Sequence, residues 1–145
     1  APDTNTKEDT KEPSKPSTEP SKPTTTDYTK NVKGYGIDVS EWNSSDIDLS
    51  KYDFVIVRTS YGEHTDKKFE YFVNKCEELK IPYGVYVYDY ALNDEQARAE
   101  AEYAYNLIKG RNVQLGVWFD MEDADNYKKK AGVLTKERCS FSFLI

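Results

Sequence analysis

From residue 34 onward, short apolar runs alternate with segments in which apolar side chains return every three or four positions. The runs predict strands over 34–39, 54–59, 83–90 and 115–121. Their near-continuous apolar character is that of strands covered on both faces. Between them, Phe69, Phe72, Val73, Cys76 and Leu79 share one helix face, and Ala97, Ala101, Ala104 and Ile108 share another. Asn93 followed three residues later by Gln96 has the form of a capping box before the second helix, and Gly110 suits its C-terminal stop. Strands alternating with helices predict an α/β fold around a parallel sheet. Two architectures fit: a small doubly wound sheet, or the first half of an eight-stranded barrel. A complete barrel takes about 250 residues, and this chain has 145.

The first 32 residues do not share the pattern. They hold five of the six prolines and only three apolar side chains, Ala1, Tyr28 and Val32, too few to offset the entropy of ordering. Glu12-Pro13-Ser14-Lys15-Pro16 returns as Glu19-Pro20-Ser21-Lys22-Pro23. Such a sequence favours extended, solvated polyproline II, so residues 1–32 are expected to be a disordered linker. Residues 33–145 then form the single domain.

Charge and composition narrow the partners. Six acids and five lysines give the first 32 residues a charge of −1, which leaves −5 of the total −6 on the domain. That balance argues against binding a phosphate backbone, so nucleic acid is not an expected partner. The apolar runs fall far short of the roughly 20 residues of a membrane span. No basic, apolar leader is present at the start, so a secretory signal is expected to be absent or removed. Two cysteines are too few for a disulfide framework. Cys76 reads as a small buried hydrophobe, and Cys139 lies in an atypical tail.

Three acids stand where strands end: Asp38 after the first, Asp120 and Glu122 after the fourth. In parallel α/β folds ligands bind at the carboxyl ends of the strands. Alternation places Asp120 and Glu122, at i and i+2, on one side with Trp118 before them. Two carboxylates beside an aromatic have pKa values driven apart, the arrangement glycosidases use. The plainer reading is that Asp120 and Glu122 cap a following helix together with Asp123 and Asp125. A third is a divalent cation held by Asp38, Asp120, Glu122 and Asp125, although no phosphate-cradling glycine loop accompanies them. His64 is the only histidine, which rules out a multi-histidine metal site within the chain; in its polar loop it is not expected to serve a Ser/His/Asp triad and is expected to be solvated. Arg58 is expected to pair with one of the three acids.

Four motifs in order, Gly36-Ile37-Asp38-Val39-Ser40-Glu41-Trp42, Phe54-Val55-Ile56-Val57-Arg58-Thr59-Ser60-Tyr61-Gly62 with Asp66 and Phe69, Gly84-Val85-Tyr86-Val87-Tyr88, and Val117-Trp118-Phe119-Asp120-Met121-Glu122, closely resemble glycoside hydrolase family 25. This is the family of N-acetylmuramidase lysozymes of bacteria and their phages, and the resemblance runs from about Lys33 to about Thr135. It implies a (β/α) barrel-type fold with a groove at the carboxyl ends of the strands. It also implies hydrolysis of the β-1,4 bond between N-acetylmuramic acid and N-acetylglucosamine in peptidoglycan. By motif, Glu122 resembles the general acid, Asp120 the partner that orients and stabilises the opposite side of the reaction, and Asp38 a third groove acid. Tyr61, Tyr86, Tyr88 and Trp118 resemble sugar-facing aromatics. Attack by the substrate's own 2-acetamido group, by water or by a carboxylate all stay open.

The resemblance implies no cofactor and no metal, and an extracellular or cell-wall location. It covers about four βα units, the N-terminal half of the family's barrel, so an incomplete barrel with open edges is expected, prone to self-association and impaired in activity. A helix is expected over 131–138. Residues 136–145, ending Phe141-Ser142-Phe143-Leu144-Ile145, lack helical patterning and form the atypical tail. Two other functions compete: a peptidoglycan-binding fragment that does not cleave, and a small Mg²⁺-binding doubly wound domain.

Overall fold

The computed structural model describes residues 33–134. The expected linker at 1–32, Cys139 and the atypical tail lie outside the described residues. Four parallel strands, β1 (Gly36–Val39), β2 (Phe54–Tyr61), β4 (Tyr83–Tyr88) and β5 (Val117–Asp120), lie in the order β1-β2-β4-β5, with the short β3 (His64–Thr65) antiparallel to β2. Helices α1 (Phe69–Leu79) and α2 (Asp94–Ile108) connect them, and α3 (Tyr127–Lys130) follows β5. Each parallel strand is laid beside the one before it, always on the same side. A doubly wound sheet reverses direction at a switch point, whereas a (β/α) barrel does not, so the order selects the barrel-type alternative.

Register explains what each face does. Val39, Val57 and Val85 align across β1, β2 and β4, and Val55 pairs with Tyr83. All are buried, with Phe69, Phe72, Val73 and Cys76 of α1 packed into the same core. The alternate rows, Asp38–Ile56–Gly84 and Arg58–Tyr86–Trp118, point to the opposite face. The expectation of strands covered on both faces is met on one side only: one face is the apolar core, and the other, part open, carries aromatic and ionisable side chains.

Between Arg58 and Ser60 the pairing with β4 slips by one residue. This bulge lets Ser60 oppose Val87 and Tyr61 oppose Tyr88. Without it Tyr61 would turn to the core side, because a one-residue shift inverts every following side chain. Gly36 is required by a close approach: a Cβ there would lie 2.1 Å from the Phe54 ring.

The helix boundaries follow the local signals. Asn93 Oδ1 accepts from Gln96 N at 2.9 Å, while Gln96 Oε1 accepts from Leu92 N at 2.7 Å, one residue earlier than in a strict capping box. Gly110 adopts φ +86° just past α2. Leu79 is 39% exposed at the end of α1 and does not join the core. The expected helix from residue 131 does not form where it is described: Ala131 and Gly132 make a turn after α3, Gly132 at φ +71°. No described helix is long and apolar enough to cross a membrane. Burial raises the Cys76 thiol to about 11, so it stays protonated and acts as a hydrophobe.

Candidate active site

A cavity of about 1080 Å³ runs along the face of the sheet opposite the core, from Phe54 and Ile56 in β2 to the carboxyl ends of β1, β2, β4 and β5. Asp38, Asp120 and Glu122 all line it, as do Tyr61, Tyr86, Tyr88 and Trp118. Each arrives by a different local route. Asp38 is on β1, Asp120 closes β5 opposite Tyr88, and Trp118 lies opposite Tyr86. Glu122 does not continue the strand, which stops at Asp120; it reaches the cavity from the loop that follows. Trp118 is 53% exposed, with its indole N–H donating to Leu115 O at 3.0 Å, so one ring face is free to meet a ligand.

The helix-capping reading of the acids is settled by who caps α3. Asp123 accepts from Lys128 N at 2.8 Å and Lys129 N at 3.0 Å, and Asp125 accepts from Tyr127 N at 3.1 Å. Asp120 and Glu122 make none of these bonds. Asp125 is correspondingly absent from the cavity lining. Among the described residues, no group of three or more His, Cys, Asp or Glu side chains is arranged to hold a metal ion.

Burial, then the neighbouring Glu122 charge, raise the Asp120 carboxyl above its ordinary value, and Asp38 adds to this. Lys128 and Arg58 oppose the rise. Burial also pushes the Tyr86 phenol up to about 12, with Arg58 opposing and Asp38 and Asp120 adding, so Tyr86 offers the groove a neutral hydroxyl.

Arg58 does not pair with the three strand-end acids as expected. Its Nε donates to Asp66 Oδ2 at 2.7 Å and its guanidinium to Glu41 Oε1 at 3.3 Å, with Cζ 5.3 Å from the centroid of the Tyr61 ring. Asp66, only 2% exposed, also accepts from Glu41 N at 2.9 Å and Lys68 N at 2.8 Å. One carboxylate therefore ties the loop after β1 to β2 and to the start of α1. Glu41 lines the cavity as well, and its Oε2 is buried without a hydrogen-bond partner among the described residues. Glu41 and Asp66 stand within the sequence motifs but nothing local gives either a role; their closeness in sequence to Asp38 and Arg58 is the available signal. His64 lies in β3 rather than in a loop, exposed and stacked on Tyr61 with ring centroids 5.5 Å apart.

Beneath the acids is a buried network with no sequence signal. Lys128, 2% exposed, donates to Glu122 O at 3.0 Å and to Asp89 O, and its Nζ stands 3.4 Å from Asp89 Oδ2. Glu100, 4% exposed, accepts from Tyr90 N at 3.3 Å and faces Asp89. Burial first, then the Asp89 carboxylate, raise Glu100 to about 8, while Lys128 opposes the rise. Glu100 is therefore protonated when folded and ionised when unfolded between about pH 4.5 and 8. The folded state holds the extra proton there, so stability is full below that window and is lost as pH rises through it. We expect the urea midpoint to fall from pH 5 to pH 8, and Glu100→Gln to flatten this slope. Gln can still donate to Asp89 and accept from Tyr90 N. An unchanged slope in that variant would assign the pH dependence to other groups.

Residues 37–142 match glycosyl hydrolases family 25. The modular autolysin LytC from Streptococcus pneumoniae is similar at 35% identity and a TM-score of 0.55, over 61% of this chain and 22% of LytC. LytC in complex with a synthetic peptidoglycan ligand aligns at the same identity and TM-score over 60% of this chain. The catalytic domain of endolysin ply40 from bacteriophage P40 of Listeria monocytogenes aligns at 19% identity and a TM-score of 0.50, over 68% of this chain and 59% of that domain, and shows the fold. The chain thus spans about a fifth of LytC and three fifths of the endolysin domain. No curated protein matches it.

Proposed function

Because this chain belongs to glycosyl hydrolases family 25, we propose that it is a peptidoglycan hydrolase cleaving the β-1,4 bond between N-acetylmuramic acid and N-acetylglucosamine. The observation that carries the reading is the meeting of Asp38, Asp120 and Glu122 in one aromatic-lined cavity of about 1080 Å³. That volume lies just above the roughly 300–1,000 Å³ usual for ligand pockets, as an open groove for a polymer should. The LytC complex with a peptidoglycan ligand supports the same substrate class.

In this reading Glu122 protonates the leaving glycosidic oxygen from its exposed loop position. Asp120, deeper and next to it, stabilises the positive charge that develops on the sugar. Asp38 adds negative charge from the first strand, and Tyr86 donates from a phenol that does not ionise at working pH. Tyr61, Tyr88 and Trp118 present ring faces to the apolar faces of the sugars. The action is proposed to be extracellular or at the cell wall, where this polymer lies.

The test uses the whole chain on purified, peptide-stripped cell-wall glycan, with the new reducing ends identified chemically. N-Acetylmuramic acid at the new ends supports the proposed bond. N-Acetylglucosamine at those ends overturns the bond assignment. Tight binding with no new ends overturns the hydrolase reading in favour of a carbohydrate-binding fragment.

A further inference from the structure

A second cavity, of about 460 Å³, adjoins the groove and shares Tyr61 and Tyr90 with it as walls. Gly62, Glu63, His64, Gln96, Glu100 and Tyr127 line the rest. None of these six carries a part in the proposed chemistry.

The rings are not scattered. Tyr61 and His64 stack with an interplanar angle of 8°. Tyr88, which faces the groove, is 5.3 Å from Tyr90 between centroids, and Tyr90 is 6.0 Å from Tyr127. A line of aromatic side chains therefore runs from the groove into the second cavity. Tyr90 and Tyr127 are 41% and 42% exposed, so part of each ring is open to solvent. Apart from the His64 ring and the tyrosine hydroxyls, the polar groups are the Glu100 carboxyl, held by Tyr90 N, the Gln96 side chain and the exposed Glu63 carboxylate. With Glu100 raised to about 8 by burial and by Asp89, its carboxyl is uncharged at neutral pH. Flat rings with hydroxyl edges, with the uncharged Glu100 carboxyl and the Gln96 amide at the floor and Glu63 at the exposed edge, match a pyranose, which has apolar faces and a hydroxyl rim.

We propose that this second cavity is an additional saccharide subsite, holding a pyranoside unit of the same glycan beyond the two units that flank the cleaved bond. The inference rests on the groove being a glycan site. It adds that affinity should grow with chain length, through Tyr127 and His64. A peptide stem is the competing occupant. The sugar is preferred because the aromatic line is continuous with the tyrosines of the groove.

The test is calorimetric binding of peptide-free N-acetylglucosamine–N-acetylmuramic acid oligomers of two, four and six sugars, with Glu122→Gln as the background so that turnover does not intrude. The affinity is expected to rise with length. Tyr127→Ala and His64→Ala should each remove about tenfold of that rise and leave disaccharide binding unchanged, and Tyr127→Phe, which keeps the ring, should retain it. Melting transitions of the variants confirm that they fold. The subsite is overturned if length brings no gain, if both alanine variants keep the full gain, or if the gain needs attached stem peptides. Release of reducing ends by the unsubstituted chain is scored separately. Length-dependent binding without release leaves the subsite standing and removes the hydrolase reading; release with an unaltered length dependence in both alanine variants does the reverse.

Discussion

Replacing Glu122 by Gln should lower the rate of wall-glycan hydrolysis by about 10²- to 10⁴-fold, the span typical of losing a positioned general acid. The change is close to isosteric. Glu122 is exposed, and what Lys128 holds is its backbone carbonyl, which the substitution leaves in place. Thermal stability is therefore expected to change by little, which separates loss of the proton donor from loss of the fold. A second consequence reaches Asp120. The Glu122 charge is the largest electrostatic contribution raising the Asp120 carboxyl, after burial. Removing that charge should move Asp120 down toward the ordinary carboxylate range, visible as a lower midpoint when its carboxyl is titrated by NMR. Turbidity loss of a wall suspension measures the first effect. A variant that clears at the parent rate would remove Glu122 from the chemistry.

Arg58→Met should destabilise the domain by about 3–5 kcal/mol, the usual cost of removing one partner from a buried ion pair. Arg58 and Asp66 are both buried and 2.7 Å apart. Without the guanidinium, Asp66 keeps only the backbone donors of Glu41 and Lys68. Glu41 would retain only the distant Lys67 ammonium, 3.9 Å from Oε2. At about 4–8 °C per kcal/mol for a domain of this size, the melting temperature should fall by roughly 15 °C or more. Asp66→Asn placed in the same background should recover part of the loss, because the uncompensated buried charge is then gone. A fall of only a few degrees in the single variant would show that water reaches these carboxylates. The pair also bears on function, since it fixes the loop carrying Glu41 at the rim of the groove and holds a positive charge against the Tyr61 ring.

Much of the frame was legible in the chain because burial leaves a periodic signature. Phe69, Phe72, Val73 and Cys76 return at helical spacing and do enter the core, while Leu79, one turn further, lies past the edge of the sheet's cover. Asn93 and Gly110 mark the ends of α2 through backbone hydrogen bonding and left-handed geometry, both local effects. The strand-end acids were visible for the same reason: a strand's direction and its last residue are local properties, and the parallel architecture decides which end faces a ligand.

What the sequence determined alone was therefore the alternation of strands and helices, the apolar side of each helix, and the candidate acids Asp38, Asp120 and Glu122. Tertiary structure decided the rest. The slip between Arg58 and Ser60 returns Tyr61 to the groove side, and no residue type announces it because it exists only in the pairing of β2 with β4. Lys128 looks like its neighbours Lys129 and Lys130, and Glu100 like Glu95 and Glu102, yet each is buried and paired at a distance. A charged side chain reads as solvent-facing until something is packed over it. Local pattern fixes which way a side chain points along its own element, whereas its partners, its burial and hence its proton affinity come from elements remote in the chain.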